Sequence, residues 1–220
     1  NLDNMKKILL LLVGIVAITA GASAMSPAGS YDEELAGRNG SFTAIKPQVE
    51  VNVGYVTGGK LNTNNFGKIK TNLSRPYIEA IFGARLNDYL FAGVGVGLQY
   101  AYGDCKLIGL TTKNAPDTWG SVGIPIYLNI KGCYPVSRVF TPYISVSLGG
   151  DVIVASNFAR EGYGKLNGGL MMKFGAGVTI SRFNIGLGMA SQSIEWKSPL
   201  GVTNFKAGNN AFYIEAGVAF

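Results

Sequence analysis

The chain has 220 residues, 31 of them glycine, with only 15% charged residues and a formal net charge of +6. That length fits one domain, and the scarcity of charge beside a positive mean hydropathy argues against an ordinary soluble domain with a charged surface. The sequence contains no histidine, which excludes Ser–His and Cys–His nucleophile pairs and histidine metal sites.

Met5-Lys6-Lys7 opens an uncharged apolar run from Ile8 to Ile18, followed by Ala22-Ser23-Ala24. A basic start, a short apolar stretch and an Ala-x-Ala site read as a cleaved export signal over residues 1–24. Residues 1–4 precede the expected natural start. The apolar run is short for a spanning helix, which needs about 20 residues. Residues 25–45, with Asp32-Glu33-Glu34, have little pattern and read as a tail.

From residue 46 onward, apolar and small or polar residues alternate with period two, the mark of strands with unlike faces. The spacing predicts strands at Lys46–Thr57, Pro76–Leu86, Tyr89–Tyr102, Gly120–Lys131, Phe140–Val154, Leu170–Ile180, Phe183–Gln192 and Ala211–Phe220. The connections alternate long and short: 58–75, then Asn87-Asp88, 103–119, Gly132–Val139, 155–169, Ser181-Arg182 and 193–210. Short turns on one side and longer loops on the other are what a membrane barrel shows. The expectation is an all-β chain over residues 46–220, an eight-stranded antiparallel up-and-down transmembrane β-barrel. Only helices and closed barrels satisfy every backbone group in lipid. With an even strand count both termini lie on the periplasmic side of an outer membrane, and the barrel is expected to be a monomer.

One parity is apolar throughout: for example Ile78, Ala80, Phe82 and Ala84, or Met172, Phe174, Ala176 and Val178. The other is rich in glycine, as at Gly93, Gly95, Gly97, Gly175, Gly177, Gly186 and Gly188. A soluble barrel would turn a Lys- and Glu-rich face to water. A glycine-rich face suits a crowded interior, so the apolar face is assigned to lipid. Tyr55, Tyr100 and Tyr102 at the loop end, and Phe140, Phe183 and Phe220 at the turn end, mark two aromatic girdles. Trp119 and Trp196 are placed near or within the loops. Cys105 and Cys133 fall at opposite ends of the barrel, too far apart for a bridge.

The inward positions carry Glu50, Glu79, Arg85, Lys131, Asp151, Lys173 and Glu215. Glu50, Glu79 and Glu215 lie on strands that become neighbours on closure. Lys173, across the axis, and Arg85 are the expected partners that keep these acids ionised. Tyr77, Phe91, Tyr127 and Tyr143 also point in. A barrel of this size is only wide enough for side chains to fill it. A static polar core is favoured, and a narrow porin for small solutes is the alternative. Gly93-Val-Gly-Val-Gly97 lacks the helix a phosphate loop requires. No cofactor or metal is expected, and a Ser–Lys mechanism stays open. Lys60, Lys68, Lys70 and Arg75, in the first long connection, are placed to meet lipopolysaccharide phosphates. Nucleic acid is a poor partner for an exported barrel.

The signal peptide, the alternating strands, the terminal Phe220, and the stretches Gly123–Ile130 and Thr141–Gly149 together resemble small outer-membrane barrels of Gram-negative bacteria. They are similar to the porin-like barrel family of Bacteroidetes and to barrels of the OmpX and OmpA type. The resemblance implies a structural or surface-interaction role, with outer-membrane lipid as solvent and host or extracellular ligands met through the long loops. It also implies that the final strand, through Tyr213, Gly217, Val218 and Phe220, is read by the barrel assembly machinery. The barrel enzymes of the outer membrane rely on histidine, so the resemblance implies no enzyme here.

Overall fold

A computed structural model describes residues 45–63, 67–104, 118–137, 139–157, 165–197 and 204–220. The expected export signal, all of the expected tail but Ile45, and Cys105 lie outside the described residues. The described chain forms β1 Lys46–Thr63, β2 Gly67–Asn87, β3 Leu90–Asp104, β4 Thr118–Cys133, β5 Phe140–Ser156, β6 Lys165–Ile180, β7 Phe183–Lys197 and β8 Asn204–Ala219. Each strand pairs antiparallel with the next, and β8 returns to β1, with Val53 opposite Ala216 and Tyr55 opposite Ile214. Closure leaves no strand edge, so every central backbone group finds a partner within the sheet.

Tight turns at residues 88–89 and 181–182 and the connection 134–139 lie at one end, together with the start of β1 and the close of β8. Ser181 there has φ 58°, a left-handed conformation that a two-residue hairpin turn imposes. The remaining connections lie at the other, loop end.

The strands run further than the alternation suggests. A strand of β8's 16 residues spans roughly 50 Å along itself, hence roughly 40 Å along an axis tilted by about 40°, against an apolar band of about 25 Å. The excess is at the loop end. The expected connection 58–75 is largely ladder, with Asn62 opposite Lys68, and 193–210 is also mostly strand, with Glu195 opposite Lys206. Trp119 and Trp196 are therefore strand positions, opposite Gly103 and Leu166. The loop-end connections shorten to residues 64–66, 105–117, 157–164 and 198–203, yet each is still longer than the turn-end connections beside it. Register shifts at Val56/Gly59 and Gly168/Met171 break the period where the strands leave the apolar band.

The apolar parity faces outward. Leu128, Phe174, Leu187 and Phe212 are each at least 60% exposed, and Val94, Ile126, Ile130, Ile144, Leu170, Ile185 and Ile214 continue the band around the barrel. In water this would be an apolar patch far beyond the few hundred Å² a soluble monomer tolerates; in lipid it is the required surface. Tyr55, Tyr100 and Tyr102 sit exposed toward the loop end. The Tyr100 and Tyr102 rings stack at 5.9 Å, and the Tyr55 and Tyr102 hydroxyls meet at 3.0 Å across β2. Tyr89, Tyr134, Phe140 and Phe183 are exposed at the turn end. Above the band the pattern inverts. Leu73, Ala101, Leu166 and Ile194 turn inward and pack together with Ile153, while Lys165, Ser191, Lys197 and Asn210 are exposed. An apolar interior under a polar exterior is the arrangement water demands.

Candidate functional site: the lumen

Every strand sends one parity into the lumen, and the strand positions order those side chains in layers. At the turn end Gln48, Glu50, Arg85, Phe91, Lys131, Cys133 and Tyr143 share the first layer. Lys131 forms an ion pair with Glu50, both buried. Gln48 Nε2 donates to the second Glu50 oxygen at 2.8 Å. The Lys131 ammonium also lies 4.8 Å from the Tyr143 ring centroid and 6.0 Å from that of Phe91, a distance at which ring faces attract a cation. Beside this layer Asn184 Nδ2 donates to Asn52 Oδ1 at 2.9 Å.

The middle layer is built on Lys173. Its ammonium donates to both Glu79 oxygens at 2.9 and 3.1 Å and to Glu215 Oε2 at 3.2 Å. Tyr77 Oη donates to the same Glu215 oxygen at 2.8 Å. The Tyr77, Tyr213 and Tyr127 rings stand 4.5, 4.9 and 5.7 Å from the ammonium. One cation thus ties β6 to β2 and β8 across the axis. Glycines make room for the rings. A Cβ on Gly95 would enter the Tyr127 ring, and one on Gly54 would enter the Tyr77 ring.

The upper polar layer holds Arg75, Gln99, Asp151, Gln192 and Asn209, all buried. Gln192 Nε2 donates to Asp151 Oδ2 at 2.6 Å, and Arg75 Nη2 donates to Asn209 Oδ1 at 3.4 Å. Above it sits the apolar layer of Leu73, Ala101, Leu166 and Ile194.

The inward charges expected from the sequence are thus inside, but their partners differ. Glu50 does not share Lys173 with Glu79 and Glu215. It lies opposite Ile81, while Glu79 lies opposite Asn52, which places it one layer lower, and it takes Lys131. Arg85 pairs with none of the three acids. Arg75 is corrected outright: it is 2% exposed, inside the lumen, and so unavailable to lipopolysaccharide. Its neighbours in sequence are basic and loop-like, which masks the strand. The one signal was its shared parity with Tyr77 and Glu79. The side chains of Lys60, Lys68 and Lys70 lie outside the described residues. Of the expected assembly positions, Tyr213 is buried in the lumen and Phe220, next after β8, is exposed. Cys133 is a free thiol. Among the described residues no group of acids and thiols could hold a metal ion.

No protein-family model and no curated protein matches the chain. Solved structures do. The outer membrane protein OprG from Pseudomonas aeruginosa matches at 10% identity and TM-score 0.45, over 80% of this chain and 96% of its own. The outer membrane enzyme PagL matches at 13% identity and TM-score 0.37, over 76% of this chain and 97% of its own. Ail, the attachment invasion locus protein of Yersinia pestis, matches at 11% identity and TM-score 0.33, over 80% and 99%. At these identities and scores the likeness carries no argument about activity.

Proposed function

We propose that the chain is an outer-membrane barrel with a structural or surface-interaction role, and that its lumen is a closed polar core. The observation that carries this reading is the filling of the lumen layer by layer: the Lys131–Glu50 pair, the Lys173 cluster, the Arg75 and Asp151 layer, and an apolar layer above them. Conduction would need three charged layers and one dry layer to part together. The charge network stabilises the barrel and carries no solute.

The remaining parts of the reading follow from the same geometry. Both ends of the barrel sequence lie with the tight turns, which in an outer membrane is the periplasmic end. A closed sheet offers no edge for strand exchange, which favours a monomer. Lys60, Lys68 and Lys70 lie on strand extensions at the loop end, where lipopolysaccharide phosphates would meet them. Tyr213, Gly217, Val218 and Phe220 are the positions for recognition by an assembly machinery. A non-enzymatic role rests on the missing histidine and on the tying of lumenal Lys131 and Lys173 to carboxylates, which withdraws both from service as a base.

Reconstitution into a planar bilayer tests the closed core. Folded protein should add no steady conductance above the bare membrane. A large, steady open-channel current would replace this reading with the narrow porin.

A further inference from the structure

The lumenal charges are unequally shared. Lys173 holds Glu79 and Glu215, Lys131 holds Glu50, and Arg75 has Asn209 with Asp151 near it. Arg85 has no such partner among the described residues. Among the described residues no acid lies within ion-pair distance of its guanidinium, and its Nε is buried without an acceptor. The residue directly opposite on β1 is Lys46, a second cation of the same inward parity. Like charges facing each other across a ladder repel. The acids nearest in sequence do not relieve this: Glu50 is engaged by Lys131, and Asp88 is exposed in the turn that follows β2. Arg85 and the Lys131–Glu50 pair all lie within electrostatic reach of the Cys133 thiol, which places that half-buried sulfur in the same mouth.

We propose that the turn-end mouth of the barrel is a binding site for a small oxyanion, a carboxylate or a phosphate, held by Arg85 and assisted by Lys46. A guanidinium presents a planar fork that matches both anions. A half-buried guanidinium whose Nε is buried without an acceptor is costly, and an acceptor from solution removes that cost. The site goes beyond the proposed role of the protein, because it depends on the barrel mouth and not on the membrane that houses it.

The test uses the full barrel in detergent micelles with Cys105→Ser, leaving Cys133 as the sole thiol. Sodium phosphate and sodium acetate are titrated separately against sodium chloride of matched ionic strength, and the Arg85 Nε–Hε resonance is followed. In parallel, Cys133 is modified by a negatively and by a positively charged methanethiosulfonate reagent. A saturable shift beyond the chloride control is expected, with phosphate alone if the anion is a phosphate and with acetate as well if it is a carboxylate. The negative reagent should react roughly fivefold to tenfold faster than the positive one, the scale of reversing a unit charge about 6–8 Å from one net positive charge in water. Saturating anion should slow the negative reagent, and Arg85→Gln should reduce the reagent preference severalfold and abolish that slowing. Should that variant fail to fold, Lys46→Gln, at the exposed start of β1, should weaken both effects. A shift no larger than chloride gives, or a reagent preference unchanged in the variant that folds, overturns the site. Neither outcome bears on the conductance test, so the two proposals fail separately.

Discussion

Replacing Lys173 by methionine removes one cation and leaves two buried carboxylates, Glu79 and Glu215, without their shared donor. The wild-type ammonium makes contacts at 2.9, 3.1 and 3.2 Å to these acids, and its side chain is 8% exposed. Breaking a buried ion pair by deleting one partner costs about 3–5 kcal/mol, most of it the desolvated charge left behind. Two acids are stranded here, so Lys173→Met should lower stability by at least about 3 kcal/mol, over a hundredfold in the folding equilibrium. The triple change Lys173→Met, Glu79→Gln, Glu215→Gln removes all three charges, and Tyr77 can go on donating to position 215. It should recover most of the loss, to within about 2 kcal/mol of wild type, because buried ion groups replaced together are often near neutral. Urea unfolding in lipid vesicles, followed by tryptophan fluorescence and by gel mobility of the folded form, gives both numbers. A single variant within about 1 kcal/mol of wild type, or a triple variant as damaged as the single, would refute the role given to Lys173.

Other substitutions sort by the same geometry. Gly149→Ala would drive a Cβ into the Ile126 carbonyl oxygen and the Tyr127 Cα, backbone atoms that cannot move aside, and should cost about 1–3 kcal/mol. Gly208→Ala meets nothing within 4 Å and should stay within about 0.5 kcal/mol of wild type; equal effects in urea titrations of the pair would contradict the packing. Ser181→Gly relieves the left-handed φ of 58°, worth about 1 kcal/mol or slightly more, and should raise the urea midpoint; a lowered midpoint would count against a strained turn.

Where one face meets lipid and the other a crowded interior, the period of two is almost unbroken, as in Met172, Phe174 and Ala176 against Lys173, Gly175 and Gly177. Strand number, order and the inward charges other than Arg75 are therefore legible. The loop-end extensions are not. There the chain leaves lipid for water and the parity inverts, so that Leu73, Leu166 and Ile194 turn inward. The register shifts near Gly59 and Gly168 break the period at the same place. Glycine- and asparagine-rich ladder, such as Gly58-Gly59-Lys60-Leu61-Asn62, then looks like loop. Parity also says only that a charge is inside. Whether Glu50 takes Lys173 or Lys131 depends on the stagger between strands, which offsets Glu50 from Glu79 by one layer. Arg75 meets both difficulties: basic, loop-like neighbours mask its strand, and with it the inward parity it shares with Tyr77 and Glu79.

The central claim is that the apolar face meets lipid and the polar face fills the lumen. Nitroxide labels placed one at a time at residues 185–189 of β7, in reconstituted vesicles, read this directly through their accessibility to oxygen, which concentrates in lipid, and to a water-soluble nickel chelate. The expected profile has period two, with oxygen access high at Ile185, Leu187 and Met189 and low access to both probes at Gly186 and Gly188. Nickel access at Gly186 and Gly188, with both probes excluded from the three apolar positions as in a soluble barrel with its apolar face inward, would contradict it.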